Sequence, residues 1–219
     1  MSLLSQFEAA KHLSSTNTIN PSLLCEPINL AENEFKKCFP LLFSDMVENA
    51  KNSTPTTYTT YQYGYNYGIG DTVINEQQFY KSLVPNNNYQ LEDSSKWEIV
   101  NKFNNECFQS IWCTLVKPAL AALTAYHAIS RLTHQLTNNG LVSKKIDGNH
   151  RNEETIDGKY YFERKVYERG LYETYIKDLT DMIKNNQASP CWGKYVSNIN
   201  TCNSKDRCDN THKPLGLLW

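Results

Sequence analysis

Cys191, Cys202, Cys208 and His212, near the end of the chain, form the one group with the right ligand types and number for structural zinc. Zinc needs four such donors at tetrahedral corners, and chains usually deliver them from knuckles with two to four residues between ligands. Here ten, five and three residues intervene, so the set is only a weak metal candidate. The plainer reading is an arm of reduced thiols. His127 and His134 lie seven residues apart on a helical stretch, hence on one face, but no carboxylate joins them there. They read as core or interface histidines, and no metal is assigned to them. Glu153-Glu154 and Asp178/Asp181 read as solvated loop and helix face rather than as an acid/base pair. A glycine-rich phosphate loop, a nucleophile elbow and a paired metal-ligand helix motif are all missing from the sequence. The chain is therefore not read as an enzyme, and no cofactor is expected.

The residues that invite contact are aromatic. Tyr61, Tyr63, Tyr65 and Tyr67 alternate along an extended run that would place them on one face. Such a row can stack on sugar rings or form an amphipathic contact with another protein chain. Tyr61, Tyr63 and Tyr65 are the expected partner-binding residues there. Leu215, Leu217, Leu218 and Trp219 are expected to dock on a partner, since a free tail would leave them in water.

The elements that must position these residues fall into a mainly α fold with a small inserted β module. Residues 1–28 read as an N-terminal arm: a short helix over Ser2 to His12, then a Ser/Thr/Asn linker ending in Pro21. Asn29 is a candidate N-cap, and Phe35, Cys38, Leu42 and Met46 follow at helical spacing, with Pro40 splitting the stretch in two. Residues 55–100 change to alternating periodicity, with three short strands around Thr72-Val73-Ile74, Phe79 to Ser82 and Trp97-Glu98-Ile99. Helix returns over Asn101 to Val116. Pro118 opens the next helix, rich in small alanines, which runs to about Asn138 with Gly140 as its C′ residue. Ser143 to Gly158 reads as a polar loop. A last helix over about Lys159 to Lys184 carries a stripe of Phe162, Val166, Leu171, Tyr175, Leu179, Met182 and Ile183. The helical bundle thus comprises residues 29–54 and 101–186, and residues 187–219 read as an extended C-terminal arm.

Length and charge narrow the class further. With 219 residues, 22 basic and 23 acidic side chains and a net charge of −1, the chain has no general attraction for nucleic acid or an anionic membrane. No run reaches the ~18 apolar residues of a membrane helix, and the start lacks a secretory signal. Seven cysteines, an odd number, four of them in helix-like apolar contexts, read as reduced cytosolic thiols, so a disulfide framework is not expected.

Two resemblances add to this. Tyr67-Gly68-Ile69-Gly70-Asp71-Thr72-Val73, with Phe79 to Leu83, Pro85-Asn86 and Ser95-Lys96-Trp97, resembles the three-stranded module of chitin-type carbohydrate-binding domains and its relatives in phage virion proteins. By that resemblance Tyr80 and Trp97 are buried framework aromatics. The order of parts around it, with Val116-Lys117-Pro118-Ala119-Leu120-Ala121, Tyr126-His127-Ala128 and Gly140-Leu141-Val142, resembles head-to-tail connector (adaptor, ring) proteins of tailed phages of the crAss-like, Bacteroidetes-infecting group. It implies a structural virion protein, assembled in the bacterial host cytoplasm. Its partners would be itself in a cyclic homo-oligomer, a dodecamer, together with the portal and other tail or collar rings. DNA would pass through the ring without sequence-specific contacts, and no membrane partner is implied. The alternative is a glycan-binding virion or surface protein using the β insert.

Overall fold

The computed structural model describes residues 2–13, 20–132, 136–137, 140–147, 150–155 and 158–199, with only the backbone described between 130 and 161. Cys202, Cys208, His212, His134 and the terminal Leu215 to Trp219 lie outside the described residues.

The fold is mainly α with a small four-stranded sheet. Helix α1 (Gln6–Leu13) opens with a capping box: Glu8 N–H donates to Ser5 Oγ (3.1 Å) and Ser5 N–H donates to Glu8 Oε2 (2.9 Å). A 3₁₀ turn (Pro21–Leu24) leads into α2 (Cys25–Cys38), which starts four residues before the expected Asn29 cap. Pro40 divides the stretch as expected. It sits at the first position of α3 (Pro40–Ser53), where its missing N–H costs nothing. Phe35, Cys38, Leu42 and Met46 are all buried in the main core.

Helix α4 (Glu106–Ile111) is capped by Asn105, whose Oδ1 accepts from Cys107 N–H (2.9 Å) and Phe108 N–H (3.3 Å). It continues without a break through a π-helical segment (Trp112–Val116) into α5 (Lys117–Leu132). Two separate helices were expected at Pro118. The π segment explains the continuity, because Lys117 N–H reaches back to Trp112 C=O and the widened turn makes room for the proline ring. Ala119, Ala121, Ala122, Ala125 and Ala128 are buried, and α5 packs closely on α2 and on α6 (Gly158–Asn185). Helix α5 ends at Leu132, short of Asn138, and Gly140 starts a strand rather than capping a helix. The expected polar loop is a β structure. Strands β5 (Leu136–Thr137), β6 (Gly140–Asp147) and β7 (His150–Thr155) pair antiparallel in that order, with Asp147 opposite His150.

The β module holds β1 (Thr59–Thr60), β2 (Thr72–Asn75), β3 (Gln78–Ser82) and β4 (Trp97–Ile99) in sheet order. The last three are antiparallel, and β1 adds a short parallel edge with Thr59 opposite Val73. The β2–β3 turn has positive φ at both Glu76 (47°) and Gln77 (64°), the backbone of a tight hairpin turn that usually takes Asn-Gly. The module has its own core of Tyr67, Val73, Leu91 and Trp97, separate from that of the bundle.

Three expectations about packing need correction. Phe162 and Val166 are 68% and 55% exposed, so the buried stripe of α6 runs instead through Glu168, Tyr172, Ile176, Leu179 and Ile183. Inward-facing charge at Glu168 hid that face from an apolar count. Residues 187–199 are no free arm, because Trp192 and Tyr195 sit in the main core and a 3₁₀ turn (Gly193–Asn198) folds them onto α3. The thiols are not all reduced either. Cys107 and Cys191 form a disulfide across 84 residues, and Cys38 is disulfide-bonded as well, leaving exposed Cys25 and Cys113 as the free cysteines among the described residues.

Tyr195 shows how that last turn is held. Its hydroxyl donates to Asp45 Oδ2 (2.8 Å), which also accepts from Lys194 Nζ (2.6 Å). Burial and the Asp45 carboxylate push the phenol far above its ordinary value. A raised folded-state pKa stabilises fully below the unfolded value near 10, and that stabilisation fades as pH rises past it. Tyr195→Phe is expected to cost about 2 kcal/mol near neutral pH, the worth of a hydrogen bond to a charged group. Urea unfolding should show this gap between the two proteins narrowing above pH 10; a gap that is absent or widens there refutes the assignment.

Candidate functional site

The aromatic surface of the β module is built on a rigid base. Asn87 is wholly buried and ties three segments together: its Nδ2 donates to Ser82 Oγ (3.0 Å) and Lys96 C=O (2.8 Å), and its backbone pairs with Tyr67. Gly68 N–H donates to Asp71 Oδ2 (2.7 Å), and Gly70, with φ of 86°, makes the turn into β2. Over this base the tyrosines do not share one face. Gly64, with φ of 79°, reverses the chain between them. Tyr67 is buried and Tyr61 half-buried, stacked at 6.0 Å between ring centres, and both meet Trp97 edge-on at 5.4 to 6.0 Å.

Tyr61, half-buried, packs into this framework. Its hydroxyl and Trp97 Nε1 both donate to Tyr89 C=O, at 3.2 and 3.1 Å. Burial first, then Tyr67 and Glu92, raises its phenol pKa. Tyr63 and Tyr65 do face solvent, at 75% and 59% exposure. Tyr65 leans on Tyr67 at 4.9 Å, and exposed Tyr89 borders the other side of the stack with Lys96 over its ring at 5.2 Å. The result is a strip of rings with fixed inner members and accessible outer ones. Sequence periodicity suggested the strip but missed Tyr89, which follows three asparagines with no alternating pattern to mark it.

A second exposed apolar patch lies on the first half of α6: Phe162, Val166 and Tyr167. Phe162 and Val166 are one helical turn apart and so share a face. The two patches belong to different elements. Tyr126, late in α5, meets Lys165 and Arg169 early in α6, whereas Cys107, before α5, is bonded to Cys191, after α6. Helices α5 and α6 thus run antiparallel. The β module sits by the start of α5, where Lys117 and the β2–β3 turn line one cleft.

Charged groups clamp the helices. Glu34 Oε1 accepts from Arg169 (2.7 Å) while its Oε2 lies 3.3 Å from His127 Nε2, joining α2, α5 and α6. Glu168, buried, lies between His12 Nε2 (3.0 Å) and Arg164 (2.5 Å). His127 is a packing histidine of this clamp. For zinc, Cys191 is already spent in its disulfide, and no group of three or more metal-ligating side chains occurs among the described residues. No described helix is long and apolar enough to cross a membrane.

These features define a helical-bundle protein that presents two unlike apolar patches. The chain matches no protein-family model, no curated protein and no solved structure.

Proposed function

We propose that the protein is a structural virion component that forms a ring at the head-tail junction of a tailed phage, beneath the portal. The observation that carries this reading is the pair of dissimilar apolar patches, the tyrosine strip of the β module and the Phe162/Val166/Tyr167 face of α6, on separate elements of one molecule. A cyclic ring is built head to tail, so each subunit needs two different surfaces, one for each neighbour. Exposed apolar area of this kind marks an interaction site rather than an ordinary solvated surface. The Cys107–Cys191 disulfide suits a particle that leaves the reducing cytoplasm, since disulfides persist on virions and outside cells.

The test exploits that asymmetry. Mass photometry of the purified protein, alone and with a tailed-phage portal, should show a closed multi-subunit species. Tyr63→Ala with Tyr65→Ala should abolish it, and so should Phe162→Ser with Val166→Ser. Mixing the two variant proteins should yield dimers and nothing larger, because each retains the one surface the other lost. A protein that stays monomeric at every concentration and with the portal refutes the ring. If the tyrosine variant instead assembles normally but loses binding on a glycan array, the β module is a sugar-recognition site and the alternative reading holds. Tyr61→Ala should act differently from either, unfolding the module locally by removing a ring wedged against Tyr67 and Trp97.

A further inference from the structure

A cleft of about 700 Å³ opens between the bundle and the β module, walled by the N-terminal segment, α1, the start of α5 and the β2–β3 hairpin. That volume falls in the range of small-ligand sites. Its apolar lining includes half-buried Phe7, Ile74 and Phe79. Three lysines and two carboxylates line it as well. Lys102 is deeply placed and committed: its ammonium donates to Leu3 C=O and Glu8 Oε2 and lies 4.2 Å from the Trp112 ring centre. Glu8 must also serve Lys117, whose Nζ is 3.8 Å from Oε1, too far for a hydrogen bond. Lys11 lies 3.6 Å from Glu76, again beyond hydrogen-bonding reach. The cleft therefore holds two ammonium groups with unspent donors and one positive charge in excess. Glu32, behind the N-terminal segment, does not line the cleft, and its Oε1 already accepts three hydrogen bonds from Ser2, Leu3 and Leu4.

The rim is held in an unusual way. Glu76 and Gln77 both occupy the positive-φ backbone of the tight β2–β3 turn, which lines the cleft. Here it sets Glu76 against Lys11 at the mouth of the cleft.

We propose that this cleft binds a small monocarboxylate with an apolar or aromatic body, its carboxylate between Lys11 and Lys117 and its body against Phe7 and Phe79. A monoanion fits between the two ammonium groups, whereas a phosphate monoester would carry a second negative charge toward Glu8 and Glu76. Without an arginine fork, recognition is by point charge, and the apolar wall supplies the discrimination among carboxylates. Because one wall is the N-terminal segment, occupancy would also hold that segment in place. The inference stands apart from ring assembly.

Titration of the full-length protein with phenylacetate, followed by Trp112 fluorescence and amide chemical shifts, tests it. Saturable binding is expected, with shifts confined to α1, the start of α5 and the β2–β3 turn. Acetate, which lacks the body, and benzyl alcohol, which lacks the charge, should bind at least about tenfold more weakly, as should phenylacetate to Lys117→Met or Lys11→Met. Both lysines are solvent-facing, with side chains 38% and 65% exposed, so the variants should fold normally by circular dichroism. Failure to saturate by about 10 mM, or equal affinity in the lysine variants, overturns the proposal. Equally tight binding of phenyl phosphate overturns the choice of a monoanion.

Discussion

Cys107→Ser should lower the unfolding free energy by about 4 kcal/mol, one of the two largest single-residue effects expected in this protein. The disulfide to Cys191 closes 84 residues of chain, and the entropy it removes from the unfolded ensemble grows with the logarithm of that length. Its ends also lie where the fold most needs joining. Cys107 opens α4, and Cys191 begins the turn that seats Trp192 and Tyr195 in the core. Without it, residues 187–199 are held by those two rings and the Asp45 contacts. Denaturant unfolding should show the loss as a lower midpoint, and reducing agent, which also opens the bond at Cys38, should lower the wild-type midpoint at least as far. Cys25→Ser and Cys113→Ser, at exposed free thiols, should leave the midpoint unchanged. A Cys107→Ser protein as stable as wild type, under oxidising conditions, would mean that the bond contributes nothing to the fold.

That disulfide marks the boundary of what was legible in the chain. Local rules reached far: Pro40 as a helix start, the apolar stripe from Phe35 to Met46, the alanine face of α5 and the strands at Thr72, Phe79 and Trp97 all follow from spacing and residue type within a dozen neighbours. What escaped was set by distant partners. Nothing around Cys107 or Cys191 names the other, and both sit in contexts typical of reduced thiols. The strands from Gly140 to Thr155 carry adjacent charges, Lys144-Lys145 and Glu153-Glu154, where an apolar alternation would be needed to announce a sheet. At the tyrosine run a single residue, Gly64, overrode the period. Its positive φ accompanies a chain reversal that leaves Tyr63 and Tyr65 exposed, while Tyr67 is buried and Tyr61 packs half-buried against it. On α6 the rule failed in the opposite sense. Phe162 and Val166 fit the helical period yet face solvent, while Glu168 is buried in their stead.

Glu32 is the clearest long-range determinant, and its replacement by alanine should cost about 3 to 5 kcal/mol while freeing the N-terminus. One oxygen, Oε1, accepts from Leu3 N–H (2.6 Å), Leu4 N–H (3.0 Å) and Ser2 Oγ–H (2.7 Å). Leu3 and Leu4 are among the most deeply buried side chains in the bundle, so their amide groups have no access to water once the carboxylate is gone. Each buried donor left unpaired costs about 1 to 3 kcal/mol, and the charge of the acceptor strengthens every bond it makes. The leucines cannot leave the core singly, because the backbone that the carboxylate grips leads directly into the Ser5–Glu8 cap of α1. The whole segment to Leu13 should therefore detach as a unit. Hydrogen exchange at the Leu3 and Leu4 amides should accelerate by at least about a hundredfold, the equivalent of roughly 3 kcal/mol of local opening, and protease should cut before Pro21. Glu32→Gln keeps an acceptor of the same shape and should recover a large part of the protection. If Glu32→Ala retains slow exchange at both amides and an unchanged melting temperature, the hydrophobic seating of Leu3 and Leu4 alone anchors the segment, and the carboxylate is a bystander.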